Sequence, residues 1–307
     1  MTKKLVVISA IHYPLTMARY FWNAFERRDD IILKVVGPFS GTYIPWNNGI
    51  HLNPKHVKTP DFPLPISSVN QRVPASMLDI QIGTEADLWL DIDAGWCVDG
   101  RPKAKVYAQI QTDPHVFKGR YNSVKTKYDK IFCMQNCYRE QDEIYLPYAY
   151  DPTIHYPEYE TKKEYDVCMI GLAYQQREEV AKRLILDGRI VRFGIGMVYD
   201  EYRREYNKSK VAVSWSSLKD TPARVWEAMA MKIPLVCNRT PDLDLFFIEG
   251  VHYLGFIATN DAVNRVQTYL DTPDLAKKIA DSAYEFVTHG HSWDDRCEFI
   301  MKECGLL

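Results

Sequence analysis

The sequence predicts an α/β chain made of two parallel-sheet halves. Short apolar runs of strand length alternate with segments of helical period along most of the chain. The alternation stops at YLPYAYDPTIHYP (145–157) and then restarts. A length of 307 residues suits two domains of ordinary size.

In the first half, LVVIS (5–9) predicts a strand, residues 15–27 a helix and IILKVV (31–36) a second strand. Residues 37–65, rich in Pro, Gly, Asn and Trp, predict a long loop or insertion, a kind of segment that often carries function. Residues 88–93, 105–110 and 130–134 are further apolar runs of strand length. Residues 145–157 contain three prolines and no helical period, and predict a linker. In the second half, strands are expected over 166–170, 190–193 and 211–215, with helices over 175–185 and 200–207. The stretch DTPARVWEAMAMKIPLVCNRTPDL (220–243) adds one more helix and strand. Asp220 or Thr221 can cap the helix, and Pro222 fits its first position. Residues 233–236 then read as a short buried strand. Two such halves suggest Rossmann-like domains over 1–150 and 151–287 facing a cleft, with ligands at the carboxyl ends of the strands. Residues 288–307 hold the final helix, for which Trp293 is the expected packing anchor.

Composition narrows the class. Hydrophobic residues make up 46% and charged residues 25%, the balance of a soluble globular protein. No run of about 18 apolar residues predicts a membrane span. The apolar run after MTKK is short, ends at His12, Tyr13 and Pro14, and reads as a first strand rather than a signal peptide. Seven cysteines without such a signal imply a reducing, cytoplasmic compartment. Cys133 and Cys137 lack a nearby second Cys/His pair, so no zinc site is expected. A net charge of −2 argues against a dedicated nucleic-acid coat protein but leaves room for a local basic patch. The 20 Tyr and 7 Trp can stack on sugars and bases or simply fill cores, and composition does not separate the two.

Several motifs carry chemistry. Arg224 and Glu227 lie three apart in the first turns of the 220–243 helix, where backbone N–H groups and the helix dipole favour an anion. An Arg there can grip a phosphate and a carboxylate can accept from a ribose diol; the plainer alternative is a surface Arg–Glu pair. Ser214, Ser216 and Ser217 precede them at a strand end. In DVCMIGLAYQQREEV (166–180), Gly171 lets backbone approach a ligand and Arg177 can reach a phosphate, or the segment is a plain turn. Gly194 and Gly196 follow another strand, where a base can lie. In QTDPHVFKGRYNSVKTK (111–127), Asp113 and His115 sit where a catalytic base would, with an exposed Asx-turn as the alternative. Lys118, Arg120, Lys125 and Lys127 follow as acceptor contacts or a solvated face. Asp91-x-Asp93 at a strand end is the rival, metal-binding signal; a strand-end turn is the favoured reading, with no metal expected.

In order, VCMIGLAYQQRE, YNKSKVAVSWSS, DTPARVWEAMAMKIPLVCNRTPDL and HSWDDR resemble the C-terminal half of GT-B glycosyltransferases of the family 4-like type. The pattern is most similar to the subgroup related to spore-maturation protein CgeB, and QTDPHVF and the 145–157 segment look like its N-terminal domain end and linker. The resemblance spans about residues 85–300 and is most specific over 209–243. It implies an α/β GT-B fold and a nucleotide-sugar donor, with a UDP-sugar expected and no bound metal or other cofactor required. It implies that Glu227 binds the ribose and Arg224 the diphosphate, that Gly171 and Arg177 line the phosphate side with Gly194 and Ser216 near the donor, and that Asp113 or His115 faces sugar or acceptor. His12, Lys118 and Arg120 are the expected acceptor contacts, and the final helix is expected to cross back to the N-terminal domain. Two departures stand out: Lys232 replaces the usual Gly, and SAIHYPLT lacks a Gly-rich loop. A hydroxymethylated pyrimidine in phage DNA is one acceptor compatible with the size of the chain, its basic run and its aromatic 43–57 segment. A nucleotide-sugar epimerase and a non-catalytic binding module are the alternatives.

Overall fold

The computed structural model describes residues 2–13, 15–44, 49–65, 72–92, 98–216 and 218–307. The chain divides into two compact units, Met1–Pro147 with Trp293–Leu307, and Tyr148–Ser292.

The first unit runs β1 (Lys4–Ser9), α1 (Ala18–Glu26), β2 (Ile31–Phe39), a small hairpin of β3 (Tyr43–Ile44) and β4 (Ile50–His51), β5 (Phe62–Pro65), β6 (Val73–Pro74), α2 (Ala75–Ile82), β7 (Ala86–Ile92), β8 (Val98–Asp99), β9 (Ala104–Gln111), α3 (Pro114–Val124), β10 (Lys130–Cys133) and β11 (Ile144–Tyr145). Its main sheet is seven-stranded and parallel, in the order β11-β10-β9-β7-β1-β2-β5. The chain leaves β1 toward β2 on one side and later returns to β7 on the other, so the strand order reverses between β1 and β7. Val7, Val36, Trp89 and Tyr107 are buried in its core.

Residues 37–65 are not a single loop. β2 continues through Gly37 and Pro38 to Phe39, and β5 pairs with it at the sheet edge. Gly37 has φ +133°, and a Cβ there would overlap the Ala10 carbonyl oxygen, so only glycine lets the strand pass. Pro63 and Pro65 are tolerated because β5 is an edge strand that lacks a neighbour on one side.

The second unit runs β12 (Tyr165–Ile170), α4 (Gln175–Leu186), β13 (Val191–Gly194), α5 (Tyr199–Asn207), β14 (Ser209–Ser214), α6 (Ala223–Ala230), β15 (Leu235–Asn238), β16 (Leu254–Phe256), α7 (Thr259–Asp271) and α8 (Pro273–Thr288). Its five strands are parallel in the order β13-β12-β14-β15-β16, which puts the reversal between β12 and β14. Val167, Val211, Val213 and Val236 from the strands pack on Val180, Leu184 and Val266 from the helices. Such all-apolar strands fit a parallel sheet covered on both faces. The segment before β12 is packed rather than an exposed tether, with Ala149, Asp151, Ile154 and His155 buried.

The last helix, α9 (Trp293–Glu303), belongs to the first unit. Trp293 stacks on Tyr20 of α1 with ring centroids 5.4 Å apart and meets Phe21 edge-on at 4.9 Å. Arg296 Nε donates to the Pro147 carbonyl at 2.8 Å, and burial lowers this guanidinium to about 10. Among the described residues no helix is long and apolar enough to cross a membrane.

Candidate functional site

The most developed constellation lies at the carboxyl edge of the second sheet. Gly171 follows the end of β12, and its N–H donates to the Gly194 carbonyl at the end of β13, 2.8 Å away. Gly171 has φ +151°, and a Cβ there would overlap the Arg224 guanidinium and lie 3.0 Å from Arg177 Nη1. The backbone angle favours glycine at the point where two guanidiniums close on the chain.

Arg177, from the first turn of α4, spans the reversal between β12 and β14. Its Nε donates to the Trp215 carbonyl at 2.8 Å and its Nη1 to the Leu172 carbonyl at 3.0 Å. Arg224, on α6, reaches Ser214 Oγ with Nη1 at 3.4 Å, and its buried Nε has no hydrogen-bond partner among the described residues. Neither guanidinium is ion-paired with a carboxylate among the described residues. Burial and then the charge of Arg224 lower Arg177 to about 10. Burial also pulls on Arg224, but Tyr206, Tyr202, Glu227 and Asp220 outweigh it and hold that guanidinium above its ordinary value. Two cations at a strand reversal, one held on backbone carbonyls and the other on a serine hydroxyl, can cradle an anion.

Glu227 lies one turn further along α6 and is buried, 5% exposed. It is not a surface partner of Arg224: Tyr202 Oη on α5 donates to its Oε2 at 2.7 Å. His155 Nε2 lies 3.8 Å from Oε1. The His155 Nδ1 accepts the Asp151 N–H at 3.0 Å, which leaves the ring proton on the nitrogen that faces Glu227.

Ser216 is fixed after β14. Its N–H donates to Asn238 Oδ1 at 2.8 Å, and its carbonyl accepts from Asn238 Nδ2 at 2.8 Å. The expected helix cap does not form. α6 begins at Ala223 with Pro222 before it and no side-chain cap, because Asp220 accepts from Ser216 Oγ and Thr221 Oγ1 pairs with Thr240 Oγ1 at 2.6 Å. Beside Gly194, Met197 and Arg192 close on the backbone, and Arg192 pairs with Glu205. Ser217 lies outside the described residues.

The first unit's expected site residues are scattered over several surroundings. Asp113 precedes α3 without a side-chain cap bond, and its Oδ1 lies 4.0 Å from His115 Nε2. The His115 Nδ1 is buried without a hydrogen-bond partner among the described residues. Lys118 Nζ contacts the buried Glu143 carboxylate at 2.6 and 2.7 Å and Gln111 Oε1 at 3.2 Å. Arg120 lies over the Phe117 ring at 5.3 Å. Lys125 pairs with Glu140 and Asp142, and Lys127 donates to the Val98 carbonyl. His12 is buried, its Nε2 donates to the Val36 carbonyl at 2.9 Å, and burial lowers its imidazole to about 4.

Asp91 sits at the β1–β7 reversal with both oxygens engaged. Ser9 Oγ donates to Oδ1 at 3.2 Å, and the Tyr107 and Tyr128 hydroxyls donate to Oδ2 at 3.0 and 2.6 Å. Burial, then the Asp91 charge, push the Tyr128 phenol up, so it stays a donor. Asp93, the second half of the Asp-x-Asp signal, lies outside the described residues. Tyr202, His155 and Asn238 were not legible as site residues. The i, i+4 spacing of Tyr202 and Tyr206 on α5 marks a shared face, but nothing local marks His155 or Asn238.

Residues 158–302 match the family described as glycosyl transferase-like. No curated protein matches the chain. Among solved structures, sucrose-phosphate synthase from Thermosynechococcus elongatus is 13% identical, covers 98% of each chain and superposes with a TM-score of 0.66. Anabaena HepE in complex with UDP and glucose is 10% identical over 99% of this chain and 100% of its own, with a TM-score of 0.70. An alpha-glucosyltransferase in complex with UDP-glucose and DNA containing an abasic site is 10% identical over 99% of this chain and 100% of its own, with a TM-score of 0.65. At such identities the likeness carries the fold. The chain thus has the α/β fold of the GT-B glycosyltransferases, with a glycosyl transferase-like domain over residues 158–302.

Proposed function

We propose that the protein transfers a sugar from a nucleotide-sugar donor, a UDP-sugar, to an acceptor hydroxyl. The observation that carries this reading is the meeting of Arg177 and Arg224 over Gly171 without a carboxylate partner among the described residues. Two cations so held are suited to a diphosphate. UDP in the HepE complex and UDP-glucose in the alpha-glucosyltransferase complex support the choice of donor. The 220–243 motif and His291-Ser292-Trp293 support a position beside the CgeB-related subgroup.

In this reading the acceptor oxygen bonds to the anomeric carbon as the bond from that carbon to the β-phosphate oxygen breaks. The electron pair stays on the diphosphate, where both guanidiniums and the N-termini of α4 and α6 neutralise it without a further cofactor. Glu227 receives the ribose, with Gly194 and Ser216 at the strand ends beside it. Asp113 takes the acceptor proton and becomes neutral, with His115 Nε2 4.0 Å from its Oδ1. An epimerase would instead convert donor with no acceptor present, and a binding module would leave it unchanged.

The test is thermal unfolding with UDP and UDP-sugars, for wild type and Arg224→Met. At ~100 times its dissociation constant a ligand adds about 2.7 kcal/mol to wild type. The variant loses that gain, and the gain is read against each protein's own ligand-free midpoint, because Arg224→Met also removes the Ser214 contact and the attraction of Glu227 and Asp220. Equal gains in both proteins would remove the site from the donor. A DNA acceptor is the second reading, favoured by the DNA-bound alpha-glucosyltransferase. The ion pairs of Lys118 and Lys125 weigh against it.

A further inference from the structure

We propose that Tyr202 is a positioning residue for Glu227, and that through it the site distinguishes a ribonucleotide from its 2′-deoxy counterpart. The inference rests on the donor reading above and deepens it. A carboxylate on a helix as well covered as α6 needs a fixed rotamer to meet a ribose hydroxyl, and its own backbone does not supply one. Tyr202 supplies it from α5. Its hydroxyl donates to Glu227 Oε2 at 2.7 Å, and both groups are buried.

The phenol is itself braced on two sides. Its ring packs against Tyr206 one turn along α5, with centroids 4.7 Å apart, and meets His155 edge-on at 5.9 Å. Burial and then the Glu227 charge push the Tyr202 phenol well up, so it remains an O–H donor across the working pH range. Glu227 Oε1 lies on the other side of the carboxylate, 3.8 Å from the His155 ring nitrogen that carries the proton. Tyr202 and His155 therefore face different oxygens of the one carboxylate. A site that pairs a buried carboxylate with a substrate hydroxyl rejects the analogue lacking it, because the buried group is then underpaired. Tyr202 touches no substrate in this scheme; it sets how well Glu227 can discriminate.

The experiment is isothermal titration of the full chain with UDP and 2′-deoxy-UDP, for wild type, Tyr202→Phe, Glu227→Gln and the double variant. Wild type is expected to prefer UDP by about tenfold or more, the scale of one hydrogen bond to a charged group. Tyr202→Phe keeps the ring and its packing, so 2′-deoxy-UDP binding stays put while UDP weakens and the ratio falls toward one. In the Glu227→Gln background, Tyr202→Phe adds no further change to the ratio. Equal weakening of both nucleotides, with a lowered unfolding midpoint, would make Tyr202 merely structural and overturn the proposal. An unchanged ratio in Tyr202→Phe would overturn it while leaving the donor reading intact. Wild type that binds neither nucleotide would overturn both.

Discussion

The two units place opposite electrostatics at matching points of their sheets. In each, the strand order reverses once beside a central strand, at β1–β7 and at β12–β14. At β12–β14 stand two arginines, Arg177 on two carbonyls and Arg224 on a serine hydroxyl, with no carboxylate ion pair among the described residues. At β1–β7 stands Asp91, already held by Ser9, Tyr107 and Tyr128. In the reading proposed above the first arrangement takes an anion, whereas the second already has its donors. The basic run after Asp113 belongs with the second kind, because Lys118 and Lys125 meet carboxylates of their own unit. Charge in a sequence marks a binding site only where the fold leaves it uncompensated.

Removing one cation from each unit should therefore have unequal effects on the ligand-free protein. Lys118→Met leaves the covered Glu143 carboxylate with the Gln111 amide and the Glu140 N–H but without its cation. Losing a hydrogen bond between charged groups in such a site costs about 1.5–3 kcal/mol. Urea unfolding should show that loss, and Lys118→Met with Glu143→Leu should recover most of it. A single variant as stable as wild type would mean Lys118 is available for an acceptor after all. Arg224→Met, in contrast, should cost less, because Glu227 keeps the Tyr202 hydroxyl and only the Ser214 contact and the attraction of nearby acids are lost.

A second effect, also confined to the first unit, comes from His12. Its folded imidazole is lowered to about 4, below the ordinary value of 6.5, because burial disfavours the cation. Between those values the unfolded chain binds the proton and the folded chain does not, so stability rises with pH. It is complete above about pH 6.5 and falls by about 3 kcal/mol on acidification to pH 4. Chemical denaturation across pH 4–7 checks this, and His12→Asn should flatten that part of the profile. An unflattened profile would show that other groups govern the acid limb.

Much of the fold was legible because parallel strands carry their signal locally. The apolar runs LVVIS and DVCMI coincide with β1 and β12, both buried along most of their length. The 37–65 segment was not legible, since Gly37 and Pro38 read as breakers. Only the approach of Ala10 and the edge position of β5 explain why strand continues there. The same division holds at the site. Gly171, Arg177 and Arg224 were visible because a strand end or a helix start marks each. Tyr202, His155 and Asn238 were not, because their partners lie 25, 72 and 22 positions away and only the fold brings them near. The Asp220 or Thr221 cap failed for a similar reason: both side chains found partners in the folded loop.

The smallest expected effect decides the acceptor. If the 118–127 run bound DNA phosphates, each lysine taking part would add about one unit to the slope of log affinity against log salt. Lys125 is the clearest case, since it sits between Glu140 at 2.8 Å and Asp142 at 2.6 Å. Neutralised by two carboxylates, it has no net charge to offer a phosphate and releases no counterion on contact. Lys125→Gln should then leave the salt slope of duplex binding unchanged and shift stability by less than about 1 kcal/mol, as surface pairs do. A slope reduced by about one unit would show the run exchanging its acids for phosphates, and the first unit would join the second as an anion site.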